Sequence, residues 1–94
     1  MTVLRVKHKV RDYDSWKTVF DNFIETRRKG GEKSYRICHF ENEPNNLDLT
    51  FEWDNEKNAR TFFKSTELKE TMEKAGVTEA PEIFFLTEVD KGKL

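Results

Sequence analysis

The sequence predicts an α+β domain in which a four-stranded antiparallel sheet carries two helices on one face. Three observations support this fold class. The chain has 94 residues, which is enough for one hydrophobic core. Four short segments have the pattern of strands, among them two in which apolar residues alternate with a period of two, and apolar residues recur at helical spacing in two others. These segments follow the order strand, helix, strand, strand, helix, strand, so we predict that residues 1–94 form a single domain.

The first predicted strand runs from Thr2 to Val10, where apolar and charged residues alternate. One face of this strand carries Leu4, Val6, His8 and Val10, and the other carries Val3, Arg5, Lys7 and Lys9. The first of these faces is suited to a core and contains a single polar side chain, that of His8.

The segment "DYDSWKTVFDNFIETRRKGG" has the pattern of an amphipathic helix. Its apolar stripe consists of Trp16, Val19, Phe20, Phe23 and Ile24. We expect Asp14 to cap the helix at its N-terminus, with Tyr13 before it as a hydrophobic staple. Gly30 or Gly31 is expected to end the helix, because glycine readily adopts the backbone conformation found there.

Two further strands, "SYRICHFE" and "NLDLTFEW", are separated by the turn signal "NEPN", which predicts a hairpin. A second helix follows, capped by Asp54 or Asn55. Its apolar phase shifts at Ser65 and Thr66, where we expect a kink, and Gly76 ends it. The segment "IFFLTEV" is the last predicted strand.

This order of elements predicts a ferredoxin-like βαββαβ arrangement. Right-handed crossovers and short connections place both helices on one face of the sheet. The first and third strands then lie side by side at the centre, and the second and fourth flank them. The helix side of the sheet is predicted to carry Leu4, Val6, Val10, Leu47, Leu49, Phe51, Ile83, Phe85 and Val89.

The opposite face of the sheet is predicted to be covered by a second copy of the chain. Its central strands carry cations opposite anions, but the flanking strands place Phe84 and Leu86 there, together with Cys38 and Phe40. Two helices cover only one face, and these apolar side chains are too numerous to leave in water. We therefore expect a homodimer through this face, packed by a two-fold operation. The alternative is a monomer with scattered apolar residues on its surface.

Composition argues against several classes of function. The 17 Lys and Arg residues nearly balance the 18 Asp and Glu residues, so we expect no binding to nucleic acid or to an anionic membrane. An RNA-recognition surface is also disfavoured, because Asp48 and Glu52 would repel phosphate. The single cysteine allows neither an intramolecular disulfide nor a Cys/His zinc site. No targeting signal or membrane-spanning apolar run is evident, which predicts a cytoplasmic protein.

The strongest indication of a ligand site is a polar group inside an aromatic pocket. His8 faces the helices from the first strand, and His39 is expected to do so from the second. An imidazole in such a pocket titrates near neutrality and can act as a base, so both histidines are candidate catalytic bases. Because the third strand separates them, a two-histidine metal site is not expected. The candidate ligand-binding residues are Trp16, Phe20, Tyr35, Phe51, Trp53 and Phe63.

Each candidate also has a structural interpretation. Either histidine is consistent with a packed side chain that makes one hydrogen bond. Trp53 is consistent with packing at the rim of the core, with its indole N–H reaching water. Cys38 is consistent with a small buried apolar residue.

Three segments resemble the antibiotic-biosynthesis-monooxygenase-like group of dimeric α/β barrels: "VKHKVRDYDSWKTVFD", "FEWDNEKNARTFFKSTELKETMEKAGV" and "PEIFFLTE". The resemblance covers nearly the whole chain. Its most specific signal is a strand that ends in an aromatic residue and Trp, followed by a capped helix whose middle reads Ser-x-x-Leu, here Ser65 to Leu68.

The resemblance implies chemistry without a cofactor. Members of the group include cofactor-independent monooxygenases of polycyclic phenols, in which the deprotonated substrate itself gives an electron to oxygen. The protein then supplies a base, an oriented pocket and exclusion of water, roles for which His8, Tyr35, His39 and Trp53 are available. Haem-degrading members use an Asn, a Trp and an iron-ligating His. The matching positions here hold His8, Trp53 and Leu68, and leucine cannot ligate iron, so no cofactor and no metal are expected.

Two functions remain open at this point. In the first, the protein is an oxygenase or isomerase of a small apolar or aromatic compound, with His8 or His39 as the base. In the second, the same pocket is a ligand-binding or structural feature of a non-catalytic homodimer.

Overall fold

The computed structural model describes all 94 residues. The elements in chain order are β1 (Thr2–Lys9), α1 (Tyr13–Asn22), α2 (Ile24–Gly30), β2 (Glu32–Phe40), β3 (Glu43–Trp53), α3 (Glu56–Phe63), α4 (Thr66–Lys74) and β4 (Glu82–Thr87). The four strands form one antiparallel sheet in the order β2-β3-β1-β4, with β1 and β3 at its centre. The predicted α+β, ferredoxin-like βαββαβ fold is confirmed.

The register of the central strands places apolar side chains on the inner face, toward the helices. Leu4 lies opposite Phe51, and His8 lies opposite Leu47. These positions are buried, and the core they begin comprises Leu4, Val6, Val10, Trp16, Leu47, Leu49, Phe51, Trp53, Ala59 and Ala75. Removing each large apolar side chain from water stabilises the fold by about 1.5–3 kcal/mol.

The first predicted helix begins and breaks differently from the prediction. Asp12, not Asp14, is the N-terminal cap, because its backbone is extended and its carboxylate accepts a hydrogen bond from the N–H of Ser15. The helix is interrupted at Phe23, whose N–H donates to the carbonyls of Val19 and Phe20 at 3.1 and 3.3 Å. This tighter turn separates α1 from α2.

The predicted kink in the second helix is confirmed. Ser65 begins α4 by accepting a hydrogen bond from the N–H of Leu68, and its hydroxyl donates to the carbonyl of Phe62 at 2.8 Å. Asn55 caps α3, where its side chain accepts from the N–H of Asn58. Three of the four helical segments therefore start at a residue whose side chain accepts a hydrogen bond from a free N–H group, and α2 has no such cap.

The strand boundaries differ from the prediction most clearly at the hairpin and at the end of the last strand. The hairpin turns at Glu41 and Asn42, and Asn42 has a φ of 64°. Pro44 already belongs to β3, but it precedes the residues of β3 that pair with β1. A proline, which has no backbone N–H, is tolerated there because no residue of β1 is paired with it. At the other end, β4 stops at Thr87, so Val89 is 93% exposed rather than on the helix side.

The outer face of the sheet combines charged and apolar side chains. Arg5 pairs with Asp48 across the central strands, with its Nε 3.0 Å from Oδ1. Phe84 and Leu86 are 42% and 46% exposed on the flanking strand. Cys38 is exposed on this face rather than buried, because its neighbours Ile37 and His39 take the inner positions.

None of the helices is long and apolar enough to cross a membrane.

Gly31 joins α2 to β2 with a φ of 122°, and its carbonyl accepts a hydrogen bond from the N–H of Asp54. A Cβ at this position would lie 2.8 Å from Cγ of Asp54. We therefore expect Gly31→Ala to lower the free energy of unfolding by about 1–3 kcal/mol, measured by urea denaturation. Gly92→Ala is the control, since nothing lies within 4 Å of the added Cβ. Equal stability of the two variants would contradict the strain assigned to Gly31.

Candidate functional site

A cavity of about 60 Å³ lies between the inner face of the sheet and all four helices. Most of its wall is aromatic or aliphatic, and its only ionisable groups are His8, Arg27 and Glu32. The other lining residues are Val6, Trp16, Val19, Phe20, Phe23, Leu49, Phe51, Phe62, Phe63, Leu68, Thr71, Met72 and Ala75. An apolar cavity with a few convergent polar groups is the usual form of a small-molecule site.

His8 enters this cavity from the centre of the sheet. Its side chain is 7% exposed, and its ring meets that of Trp16 edge-on at a centroid distance of 5.8 Å. Neither ring nitrogen has a hydrogen-bond partner. Burial lowers the pKa of His8 from 6.5 to about 4, because the charged imidazolium would lose its hydration. At neutral pH His8 is therefore uncharged and able to accept a hydrogen bond or a proton.

The second polar group of the cavity is the ion pair between Arg27 on α2 and Glu32 at the start of β2. Both side chains are almost fully buried. The guanidinium Nη1 donates to Oε2 of Glu32, and Nη2 donates to the carbonyl of Phe20 at 3.3 Å. The guanidinium carbon also lies 3.7 Å from the centroid of the Phe20 ring, a distance typical of cation–π stacking. The pair therefore lies between an aromatic wall and the turn at Gly31.

Burial raises the pKa of Glu32 from 4.5 to about 7, and the charge and hydrogen bond of Arg27 oppose this shift only in part. A carboxyl group with such a pKa exchanges its proton near physiological pH. The cavity thus contains two groups whose pKa values burial moves in opposite directions, in both cases toward the neutral form. They are an imidazole that is uncharged at neutral pH and a carboxyl that titrates near neutrality.

The structure brings only part of the predicted site together. Trp16, Phe20, Phe51, Phe63 and the candidate base His8 line the cavity. Their roles in binding or catalysis remain predictions.

Three predicted residues lie elsewhere. His39 is on the inner side of edge strand β2 but is exposed, with Nδ1 2.8 Å from the carbonyl oxygen of Phe40. Tyr35 is 44% exposed and does not line the cavity, but its ring meets that of Phe20 edge-on at 5.1 Å and has its centroid 5.2 Å from the guanidinium carbon of Arg27. Trp53 lies behind the lining residues. An edge strand has one open side, which is why its inward residues are less covered than those of β1 and β3.

Trp53 is a structural residue of the core. It is fully buried and packs against Phe62 at a centroid distance of 4.9 Å, and it also lies beside Gly30. Its indole N–H does not reach water, because Nε1 is buried without a partner. The aromatic ring of Phe62, not Trp53, forms the cavity surface here.

The pattern-based prediction missed Arg27 and Glu32. A signal for Arg27 was present, since it lies seven residues after Phe20 and four after Phe23 and so continues the apolar stripe of the helix. Glu32 had no such signal. A register irregularity between Glu32 and Ser34 brings Glu32 opposite Trp53 on the inner face, whereas simple alternation from Tyr35 would turn it outward.

The cavity is smaller than an aromatic ligand requires. An apolar cavity of roughly 150 Å³ accommodates benzene, so a volume of about 60 Å³ needs one wall to move before a ring enters. The least closely packed wall is α4, because the backbones of α1, α2 and α3 each approach another helix or strand over several residues and that of α4 does not. Its Thr71 and Met72 face the cavity and are only half-buried. Displacement of α4 is therefore the least costly way to enlarge the site.

No family model matches the chain, and no curated protein matches it in sequence. Solved structures do match. SnoaB, a cofactor-independent oxygenase from Streptomyces nogalater, has a TM-score of 0.76 at 12% identity, covering 96% of this chain and 94% of that chain. A conserved protein from Methanosarcina mazei Go1 has a TM-score of 0.71 at 19% identity, covering 95% and 94%. A protein provisionally named as an antibiotic biosynthesis monooxygenase, from Nitrosomonas europaea, has a TM-score of 0.70 at 15% identity, covering 96% and 100%.

The structural neighbours over nearly the whole chain are thus antibiotic biosynthesis monooxygenase proteins, as the sequence resemblance implied. At these identities the likeness shows a common fold. It does not transfer an activity or a site residue to this chain.

The opposite pKa shifts of His8 and Glu32 act on stability with opposite signs. Between pH 4 and 6.5 the unfolded chain binds more protons at His8 than the folded chain does, so stability is lost as pH falls through this range. Between pH 4.5 and 7 the folded chain binds more protons at Glu32, so stability is lost as pH rises. In the wild-type protein the two contributions partly cancel between about pH 4.5 and 6.5.

Single substitutions are expected to reveal each contribution. Relative to wild type, His8→Phe should gain stability as pH falls from 6.5 to 4.5, and Glu32→Gln should lose stability as pH falls from 7 to 4.5. Urea denaturation at several pH values between 4.5 and 7.5 measures both slopes. The matched control substitutions are His39→Phe and Glu25→Gln, at exposed positions outside the cavity. Parallel curves for His8→Phe or Glu32→Gln would contradict the assigned pKa shift.

Proposed function

We propose that this protein is a cofactor-independent monooxygenase-type enzyme that binds a small aromatic compound in the cavity between helices and sheet. The observation that carries the proposal is the buried His8 imidazole, which has no partner inside an aromatic cavity. The fold, shared with a cofactor-independent oxygenase, supports the same reading. His8 is the candidate base, and His39 is set aside because it is exposed outside the cavity.

The proposed reaction requires from the protein only a base and a pocket that excludes water. An activated ring carbon loses a proton, and the resulting carbanion or phenolate transfers an electron to O₂. Collapse of the radical pair gives a peroxide, which loses water to leave a carbonyl, so that one CH₂ and one O₂ become one C=O and one H₂O. His8 accepts the proton, and the apolar walls exclude bulk water from the reactive anion.

One observation favours a non-catalytic alternative. The burial that keeps His8 neutral also weakens it as a base, since its conjugate acid has a pKa of about 4. The small cavity volume points in the same direction. In this alternative the protein binds a small ligand, or uses the cavity only as part of its core.

A homodimer through the outer face of the sheet is part of the proposal. Phe84 and Leu86 form an apolar patch beside the Arg5–Asp48 pair. A two-fold copy of the same surface would cover the apolar side chains and place both signs of charge opposite each other. The inner face has helices over it and the outer face has none, so a second sheet is the cover that this geometry accommodates.

Oxygen uptake with anthrone tests the catalytic proposal. Anthrone contains the activated CH₂ group, and its conversion to anthraquinone consumes one O₂ and forms one H₂O. We expect consumption above the protein-free rate and about a 10²-fold loss in His8→Phe, as is typical when a general base is removed. His8→Phe should fold, because the imidazole makes no hydrogen bond that phenylalanine would lose.

A cavity-filling variant separates catalysis in the cavity from reaction at the surface. Ala75→Leu places a larger side chain in the cavity wall, and Ala80→Leu adds the same atoms to an exposed loop. Only Ala75→Leu should suppress oxygen uptake. Loss of turnover in His39→Phe rather than His8→Phe would show that the base is misassigned, and no turnover in the wild type would favour the non-catalytic alternative.

Light scattering after size-exclusion chromatography tests the dimer. The wild type should have twice the chain mass, and Leu86→Glu should convert it to a monomer, because a buried charge without a partner costs several kcal/mol at an apolar interface. Val89→Glu is the control, since that residue lies beyond β4 and is almost fully exposed. A monomeric wild type would contradict the proposal that a second copy of the sheet covers Phe84 and Leu86.

A further inference from the structure

The Arg27–Glu32 pair is not required by the function proposed above, although it is costly to maintain. Moving two charges out of water costs several kcal/mol for each ion, and a buried pair often stabilises a fold no more than apolar residues of the same size would. Here the pair is buried in the wall of an otherwise apolar cavity. Such an arrangement is understandable if one of the charges has a second partner.

Arg27 has one N–H donor that lacks an acceptor. Its Nη1 and Nη2 atoms bind Glu32 and the carbonyl of Phe20, but its Nε is buried and has no acceptor. A guanidinium group presents its N–H groups as a planar fork, which matches the two oxygens of a carboxylate. A carboxylate placed in the cavity could therefore occupy the free Nε and share or replace the contact with Glu32.

Glu32 also borders the outside of the protein. A surface groove on the other side of this residue is lined by Ile24, Arg28, Glu32, Lys33, Ser34 and Tyr35. Two of these residues, Arg28 and Lys33, are exposed cations, and Arg28 is paired with Glu25. Glu32 thus stands between the internal cavity and a surface groove in which Lys33 has no ion-pair partner, and this cation favours the approach of an anion.

We propose that the ligand of the cavity is a small aromatic carboxylate, whose carboxylate group binds Arg27 while Glu32 takes up one proton. The aromatic ring would then lie against the stacked rings of Trp16 and Phe20, which are 4.9 Å apart by their centroids. This inference rests on the proposed function, because it names the class of compound that the same cavity binds.

The proton follows from the charges around the guanidinium. Arg27 alone cannot neutralise two buried carboxylates, and a second anion nearby favours the protonated form of Glu32. The other ionisable groups that face the pair are His8 across the cavity, Tyr35, whose ring centroid lies 5.2 Å from the guanidinium carbon, and the groove cations Arg28 and Lys33. The proton comes from solvent and forms an O–H bond on Glu32, and no bond of the ligand is made or broken. Since Glu32 already has a pKa near 7, the uptake occurs at modest cost.

Benzoate and benzamide are the matched probes, because they share shape and differ in charge. Isothermal titration calorimetry between pH 6 and 9, in buffers of different ionisation enthalpy, measures affinity and proton uptake together. Benzoate should bind at least about tenfold more tightly than benzamide at pH 6, and its affinity should fall by about tenfold per pH unit above pH 7.5, as one-proton linkage requires. At pH 8 about one proton should be taken up per benzoate bound. Benzamide should bind without either effect.

Variants assign these effects to the pair. Glu32→Gln should bind benzoate with no pH dependence and no proton uptake. Glu41→Gln, which changes an exposed glutamate in the turn between β2 and β3 that lines neither the cavity nor the groove, should behave as the wild type. The double variant Arg27→Met with Glu32→Leu should lose the preference for benzoate. It avoids the unpaired charge that a single Arg27 substitution would leave, and replacing a buried pair by apolar residues is often tolerated. Lys17→Met with Asp21→Leu, on the exposed side of α1, is its control.

The outcomes separate this inference from the function on which it rests. Equal affinities for benzoate and benzamide would overturn the carboxylate assignment while leaving the aromatic cavity in place. Tight benzoate binding without proton uptake, or with uptake that persists in Glu32→Gln, would overturn the role of Glu32. Proton-linked binding of benzoate together with no oxygen uptake from anthrone would support this inference and contradict the catalytic proposal. Binding of neither probe at millimolar concentration would overturn both the inference and the binding function.

Discussion

The antiparallel pairing of β1 with β3 is the constraint on which the rest of the structure depends. Side chains in this pairing alternate strictly, so the register that buries Leu4 against Phe51 also brings Arg5 beside Asp48 on the other face. A slip by one residue would move Arg5 and Lys7 into the core and Leu4 into water. The same register delivers His8 to the inner face of a central strand, where its side chain is buried. The site therefore begins with a pairing that the fold cannot change without losing its core.

An apolar cavity solvates charges poorly, yet this cavity contains three ionisable groups. Each group avoids or offsets the cost of a buried charge in a different way. His8 remains neutral, Arg27 is stacked on Phe20 and paired, and Glu32 has a pKa that burial has raised. The result is a site whose net charge changes near neutral pH through a single carboxyl. Small buried sites of this kind respond strongly to the charge of what enters them, because each new charge is poorly screened by solvent.

The comparison with solved structures separates scaffold from chemistry. The fold is shared over nearly the whole chain at identities below 20%, which means that the sheet and its helices persist while almost every side chain changes. Function on such a scaffold depends on the side chains that reach the cavity. In this chain those side chains are an imidazole without a hydrogen-bond partner and an ion pair between the cavity and the surface groove. What this combination does has to be measured on this protein directly.

Local patterns in the chain were enough to predict the order of the elements, the central position of β1 and β3, the inward direction of His8 and the break at Ser65, because two-residue and helical periodicities are local properties. They also indicated most of the aromatic lining. The remaining features depended on tertiary structure. The carboxylate of Asp12 became the cap because the turn from β1 gave that residue an extended backbone, and Glu32 turned inward because of a register irregularity in an edge strand. His39 is exposed for a different reason, because β2 is an edge strand and has no neighbouring strand on one side. The pairing of Arg27 with Glu32 across Gly31, and the pKa values that burial imposes on His8 and Glu32, arise only when helices and sheet exclude water between them.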